Sequence, residues 1–374
     1  MGDFFKLSEV CKKESSNIAM KDLAERTGDY EIYGASGLIK KVDFYQQEQP
    51  YIAIVKDGAG VGRVMKLPAK SSVIGTMQYI IPNEGIDVNF LAYALEHLNL
   101  AKYNTGATIP HIYFKDYCVE TIPAYSPDEQ KYIACTLDKI SFLISLRKQQ
   151  LSKLDELVKS RFVELFGEPE TNPMGWKNIT VRQAINEKII DKPLDGNHGE
   201  KHPKTSDYVP AGVPFIMANN LVDGRVDLEN CAFISQKQAN SLDKGFARDG
   251  DVLITHKGTI GRTAILHCTY PYIMLTPQVT YYRPITGIIP EYLKAYFDTD
   301  YFQGVIGNIA SAGSTRAYIG ITAQQELPLL IPPMEKQKEY AAFVQQTDKS
   351  KLAIQKSLEK LETLKKALMQ KYFE

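Results

Sequence analysis

A charge excess of either sign is what this sequence most plainly lacks. Across 374 residues Lys and Arg number 44 and Asp and Glu number 44, so no overall field draws in or repels a polyanion, and any basic surface must be local. Cysteine is scarce. Cys11, Cys118, Cys135, Cys231 and Cys268 form no CxxC and leave an odd one over, which points to a reducing cytosol rather than a disulfide framework. No apolar run is long enough to span a bilayer, and no signal peptide opens at Met1. A soluble cytoplasmic chain of two or three domains is therefore expected.

Glycine and proline are missing from two long stretches, and these organise the rest. Gln130–Phe166 recurs at Gln337–Phe373, displaced without a gap by 207 positions (130 to 337). Gln130, Lys131, Ala134, Leu151, Lys153, Leu154, Leu157, Lys159 and Phe166 all meet identical residues at that offset. Rich in Leu, Lys, Gln and Glu, both stretches read as helices of roughly 55 Å. Leu137, Ile144, Leu151, Val158 and Leu165 recur every seven residues, joined by Leu154, which is a coiled-coil seam. Arg147 and Arg161 interrupt it, and the second copy supplies Ile354 and Leu368 at those places, with Leu358 and Leu361 continuing its own seam. Lys351 and Lys365 are expected to face Ile144 and Val158. The apolar sets are complementary, so an antiparallel pair is expected; two helices packed separately on their own halves is the alternative.

Between the helices the pattern is mixed. Tyr51-Ile-Ala-Ile-Val55 and Gln78-Tyr-Ile-Ile81 read as buried strands and Val88–Asn99 as a short helix. Ser126, Pro127 and Glu129 form a capping box that starts the first long helix, and Gly167 with two following prolines ends it. A second mixed domain begins at Trp176. There Asp251-Val-Leu-Ile-Thr255 leads into Lys257-Gly-Thr-Ile-Gly-Arg262 much as Tyr51–Val55 leads into Asp57-Gly-Ala-Gly-Val-Gly-Arg63. Gly106-Ala-Thr108 with Ile112 matches Gly313-Ser-Thr315 with Ile319 at the same offset of 207 (112 to 319). The chain is a tandem duplication of a globular domain plus a long helix.

No catalytic constellation emerges. Gly58-Ala-Gly60-Val-Gly62 departs from G-x-G-x-x-G, and Val64-Met-Lys-Leu-Pro68 after it is no helix start, so the glycines fit a turn that lets backbone approach another surface. His198 and His202 lie four apart but share no H-E-x-x-H pattern and no evident third ligand, so no metal site is expected. Pro127-Asp128-Glu129-Gln130-Lys131 is a helix cap rather than a nuclease set. Ile331-Pro-Pro-Met334 lacks the Asn or Asp and the aromatic of a base-flipping methyltransferase loop.

Binding chemistry remains. Lys56, Lys66, Thr108 and His111 in the first half, and His198, Asn219, Asn220, His256, Lys257, Thr315, Arg316 and Tyr318 in the second, are expected in loops, with side-chain types that read base edges or hold phosphate. Arg63 and Arg262 close the two glycine turns, within reach of phosphate.

These features resemble the specificity subunits of type I restriction-modification enzymes. Asp195-Gly196, Pro214-Phe-Ile216, Asn219-Asn220, Phe233-Ile-Ser235, Gly250-Asp-Val-Leu253, Gly258-Thr-Ile-Gly-Arg-Thr-Ala264 and Ile331-Pro-Pro with Gln337-Lys carry the likeness in the second half. Gly34-Ala-Ser-Gly37, Lys56-Asp-Gly58 and Ser126-Pro-Asp-Glu-Gln130 carry it in the first, where Phe5 stands in place of Trp176 and no Asp-Gly turn is evident. The resemblance implies an α+β fold with an internal pseudo-twofold repeat: target recognition domains at 1–125 and 168–332, and antiparallel coiled-coil spacer helices at 126–167 and 333–374. It implies a non-catalytic reader of a split double-stranded DNA target that docks two modification (methyltransferase) subunits, with restriction (translocase/nuclease) subunits joining for cleavage. S-adenosylmethionine, ATP and magnesium then belong to those partners, and no membrane is involved. A stand-alone tandem DNA-binding scaffold or regulator is the alternative.

Overall fold

The computed structural model describes residues 3–105, 108–311 and 317–374. Its chain forms two compact units. Unit 1 comprises Met1–Gln150 with Ile354–Glu374, and unit 2 comprises Leu151–Ala353. Each unit therefore holds a mixed α+β body and part of both long helices, Pro127–Phe166 and Met334–Phe373, which have 40 residues each.

The first long helix starts where its cap dictates: the Ser126 amide donates to Glu129 Oε2 at 2.9 Å and the Glu129 amide to Ser126 Oγ at 3.4 Å. It stops at Phe166 because Gly167 takes φ +74°. Within unit 1 the helices run antiparallel, since Tyr125 OH bonds the Tyr372 carbonyl while Lys148, further along, pairs with Glu362. Unit 2 has the same sense, with Asp155 paired to Lys351 and Arg161 to Glu339. Leu137 is fully buried in a core that also contains Phe373 and takes up Leu368. Val158 packs on the unit 2 core beside Val344, near Phe162, Leu165 and Tyr340. Ile144, Leu151, Leu154, Ile354 and Leu361 are half-buried, and Leu358 is buried. The expected partners of two seam lysines differ. Lys351 reaches Asp155 instead of Ile144, and Lys365 turns to Glu96 and the Tyr93 ring instead of Val158. In an antiparallel pair, positions equivalent by duplication are not opposite one another.

The duplicated glutamines pin each body to its helix by the same device. In unit 1 Gln130 accepts from the Asp87 amide and donates to the Tyr125 and Gly85 carbonyls. In unit 2 Gln337 accepts from Ile289 and donates to Pro332 and Gly287. Both side chains are almost wholly buried, and these bonds satisfy their amides together with loop backbone groups.

The sheets repeat as well. In unit 1 four antiparallel strands run in the order Cys11–Ser15, Met77–Pro82, Tyr51–Val55, Val64–Leu67. Unit 2 begins its six-stranded sheet likewise, with Leu194–Asp195, Val279–Tyr282, Val252–Lys257 and Thr259–Ile265, then adds Arg225–Val226 and Leu221–Val222. A closing ribbon recurs too: Phe4–Lys6 pairs with Thr121–Pro123, and Lys177–Thr180 pairs with Pro328–Ile331. Trp176, just before the second ribbon, donates from Nε1 to the Phe166 carbonyl at 2.9 Å and so ties that body to the end of the first long helix.

Candidate nucleic-acid interface

A hairpin tip in each unit is locked against a later segment of the same unit, residues 110–112 in one and 317–319 in the other, and the lock is the same backbone pattern twice. In unit 1 the Gly58 amide donates to the Pro110 carbonyl at 2.9 Å and the Ile112 amide to the Lys56 carbonyl at 3.0 Å. In unit 2 Gly258 donates to Ala317 at 3.1 Å and Ile319 to His256 at 3.0 Å. Asp57 bridges His111 and Lys257 bridges Tyr318 at the corresponding places. The glycines of the first tip, Gly58, Gly60 and Gly62, all have positive φ, and a Cβ on Gly62 would lie 2.5 Å from the Ala101 nitrogen. The turn thus serves close backbone approach and opens no helix.

Side chains at the two joints differ. In unit 1 Asp57 holds Lys56 Nζ at 2.6 Å through one oxygen and the His111 ring through the other. His111 also lies 4.0 Å, ring to ring, from the exposed Tyr113. In unit 2 His256 is buried; its Nδ1–H donates 2.9 Å to the Ile319 carbonyl, and its ring meets Tyr318 at 5.6 Å. Lys257 stands over the outer side of Tyr318, 6.0 Å from the ring. Beneath this joint lies Asp195, 1% exposed, which accepts from Lys244 Nζ and, at 2.6 Å, from His198 Nε2. Burial pushes the Asp195 carboxyl up, but those two donors outweigh it and hold it below its ordinary value. Gly196 follows because a Cβ there would overlap the Leu275 carbonyl oxygen at 1.9 Å.

The joints gather Lys56 and His111 in unit 1 and His198, His256, Lys257 and Tyr318 in unit 2. The expectation that all of the candidates lie in loops needs correcting at several positions. His256 and Lys257 end the strand Val252–Lys257, and Lys66 lies in Val64–Leu67. Lys66 is committed elsewhere: it pairs with Asp138 and stands 4.5 Å from the Tyr93 ring. Asn220 is buried, accepting from the Met217 amide at 2.9 Å, and so shapes the turn that leaves Asn219 exposed. Arg63 is exposed and bonds the Ala35 carbonyl, Arg262 and Thr108 are exposed, and Thr315 and Arg316 lie outside the described residues. Asp57 and Lys244 escaped the sequence reading, because the partners that bring them to the joints, His111 and Asp195, are 54 and 49 residues away. No group of three His, Cys, Asp or Glu able to hold a metal ion occurs among the described residues.

The family model for the type I restriction modification DNA specificity domain matches residues 3–156 and again 194–366, once over each repeat. The chain belongs to this family. The type I restriction enzyme MjaVIII specificity subunit of Methanocaldococcus jannaschii is 22% identical over 328 residues, covering 85% of this chain and 77% of that protein. The MjaIX specificity subunit of the same organism is 24% identical over 309 residues, 78% of this chain and 69% of its own length. The crystal structure of a type I system S subunit from M. genitalium covers 100% of this chain and 96% of its own, at TM-score 0.66 and 16% identity, which shows a shared fold. As a type I specificity subunit with two DNA recognition domains, the chain has its two joints in the two matched regions. No helix among the described residues is long and apolar enough to cross a membrane.

Proposed function

We propose that this specificity subunit reads a split double-stranded DNA target, one half by each unit, and takes no part in the chemistry itself. The observation that carries the reading is the joint built twice with one backbone pattern and two sets of side chains. Identical scaffolds presenting Lys56 and His111 in one case and Lys257 and Tyr318 in the other suit two different half-sites. Asn219 and Arg262 extend the second set, and Arg63 and Thr108 the first. The long helices dock two modification subunits, and restriction subunits join them. S-adenosylmethionine, ATP and magnesium reside on those partners, and the complex works in the cytoplasm. In support, a chain from a study of complex assembly and conformational transition of the type I R-M system aligns over 100% of this chain at TM-score 0.55, although at 16% identity that is likeness of fold alone.

Phosphate neutralisation supplies much of the affinity for DNA, and a chain with balanced charge has little of it to give, so partners complete the grip. The test is to tag the chain in its host, identify what co-purifies, and sequence the methylome with and without the gene. An adenine methyltransferase at two copies per chain, together with loss of one bipartite methylated motif, is expected. A chain that binds DNA without such a partner and leaves the methylome unchanged would be a free-standing DNA-binding scaffold.

A further inference from the structure

One polar atom in the unit 2 joint has no partner. Because His256 Nδ1 gives its hydrogen to the Ile319 carbonyl, Nε2 of the neutral ring carries a lone pair. That nitrogen is buried without a hydrogen-bond partner and faces the Asp195 carboxylate, 3.8 Å from Oδ2. The charged and titratable groups around it are Asp195 on the edge strand, His198 three residues on, Lys244 on the other oxygen of Asp195, Lys257 on the same strand, and Tyr318 from the loop. None of them donates to Nε2. A lone pair and a carboxylate therefore face each other across a gap that one proton would bridge. Desolvation keeps that proton off in the free chain, outweighing the Ile319 bond and the Asp195 charge.

We propose that His256 is a positioning residue for DNA recognition, and that engagement of the half-site read by unit 2 takes up a proton at its Nε2. The inference rests on the DNA-reading function proposed above. Lys257 and Tyr318 form the exposed rim over His256, so phosphates arriving there favour added positive charge beneath them. The imidazolium then donates from Nδ1 to Ile319 and from Nε2 to Asp195. The ring that holds the Tyr318 segment through Nδ1 is then itself fixed to the edge strand through Nε2, and the proton comes from solvent with no covalent change. Unit 1 has Lys56 at the corresponding position, so it has no counterpart of this buried imidazole.

The test uses the chain together with the modification subunits that co-purify with it, and duplexes bearing the bipartite motif mapped from the methylome, with either half scrambled. Affinity is followed by fluorescence anisotropy from about pH 8 to about pH 6 at constant ionic strength, the range in which a histidine switches. Duplexes keeping the unit 2 half should bind more tightly as pH falls, by up to about tenfold per pH unit for one linked proton. His256→Asn preserves a donor for Ile319 but cannot take the proton, so the ratio of its affinities at the two ends of the pH range should lose the gain whatever its affinity near pH 8, while His198→Gln keeps it. In the wild-type chain, mass-spectrometric C2-hydrogen exchange of His256 should titrate at higher pH with the duplex than without it. An unmoved exchange titration, or an undiminished gain in folded His256→Asn, overturns the proposal. Failure to bind any mapped duplex at any pH overturns the DNA-reading function along with it.

Discussion

Unit 1 and unit 2 solve one backbone problem with two chemistries. At the hairpin tip Lys56, Asp57 and His111 of unit 1 occupy the places of His256, Lys257 and Tyr318 of unit 2, while the amide-to-carbonyl bonds coincide. The exchange continues inward. Gln78 bonds Tyr117 in unit 1, whereas in unit 2 Gln324 donates to Thr280 at 3.2 Å from the corresponding short helix, Ile321–Gln324 in place of Phe114–Tyr117. Before Ile52 stands Tyr51, packed edge-on to Tyr79; before Val252 stands Asp251, held by Arg283 through two bonds of 2.8 Å. What duplication preserves is the set of backbone bonds, because those close the fold whatever the side chains. What diverges is whatever touches the joint from either side.

The largest separation between the units should come from the Asp251–Arg283 pair, which unit 1 replaces with an aromatic contact. Arg283→Ala leaves Asp251, 1% exposed, without its counter-ion, a change that costs about 3–5 kcal/mol in buried pairs. Trp176 is the only tryptophan and packs on the unit 2 core, so its fluorescence during urea unfolding reports that unit. An unshifted midpoint would mean that Arg283 is dispensable to Asp251. Leu137→Ala is the unit 1 counterpart, opening a cavity at a fully buried seam position for about 2–5 kcal/mol. Amide exchange of the helix Val88–His97 should accelerate while Trp176 stays unchanged. Should the Trp176 transition move equally, the two units unfold as one.

Gln130 and Gln337 test whether the shared device is equally weighted. Replacing either with Leu leaves one part-buried amide, Asp87 or Ile289, without its acceptor, at a cost of at most about 1–3 kcal/mol. Similar losses in each unit are expected, and a markedly unequal pair would show that one repeat has shifted its support elsewhere. A smaller contrast is in pH. His256 has a folded value depressed below the ordinary 6.5 by burial, so the unfolded chain holds that proton more tightly. The stability tied to the neutral ring is fully present above 6.5 and is lost as pH falls below it. Urea midpoints of wild type and His256→Asn measured across that range should diverge on the acid side through Trp176; parallel curves would place the titration elsewhere.

Legibility in the sequence followed how local each cause was. The two long helices could be read because the absence of Gly and Pro, the Ser126 cap and Gly167 are all local signals. Tyr51–Val55 and Gln78–Ile81 were legible as strands from runs of five and three consecutive apolar or aromatic residues. The duplication itself, and hence the family, rested on an offset that needs no structure at all. Burial at individual polar positions was not legible. Asn220 and Asn219 look alike in sequence, yet one is folded under the turn and the other is exposed. His256 looks like a reading residue until Ile319, 63 positions away, takes its hydrogen. Facing partners along the helices failed for a related reason: register between antiparallel helices depends on where the chain turns back, which the duplication does not encode.

Lys66 gives the finest test, because sequence grouped it with Lys56 as a DNA-binding lysine and the structure separates them. Lys56 sits in the joint, bonded to Asp57. Lys66 projects onto the first long helix, where Asp138 accepts from both it and Tyr93, and where Lys365 stands over the same Tyr93 ring at 5.4 Å. Its side chain remains about one-third exposed and that of Asp138 more so, so solvent screens the pair and Lys66→Ala should cost at most about 1 kcal/mol of unit 1 stability. Loss of a phosphate contact, by contrast, lowers the slope of log affinity against log salt by about one. Salt titrations of the assembled complex on its target should therefore show a reduced slope for Lys56→Ala and a wild-type slope for Lys66→Ala. A reduced slope for Lys66→Ala would mean that Lys66 leaves Asp138 for DNA, and that the helix-facing lysine belongs to the interface after all.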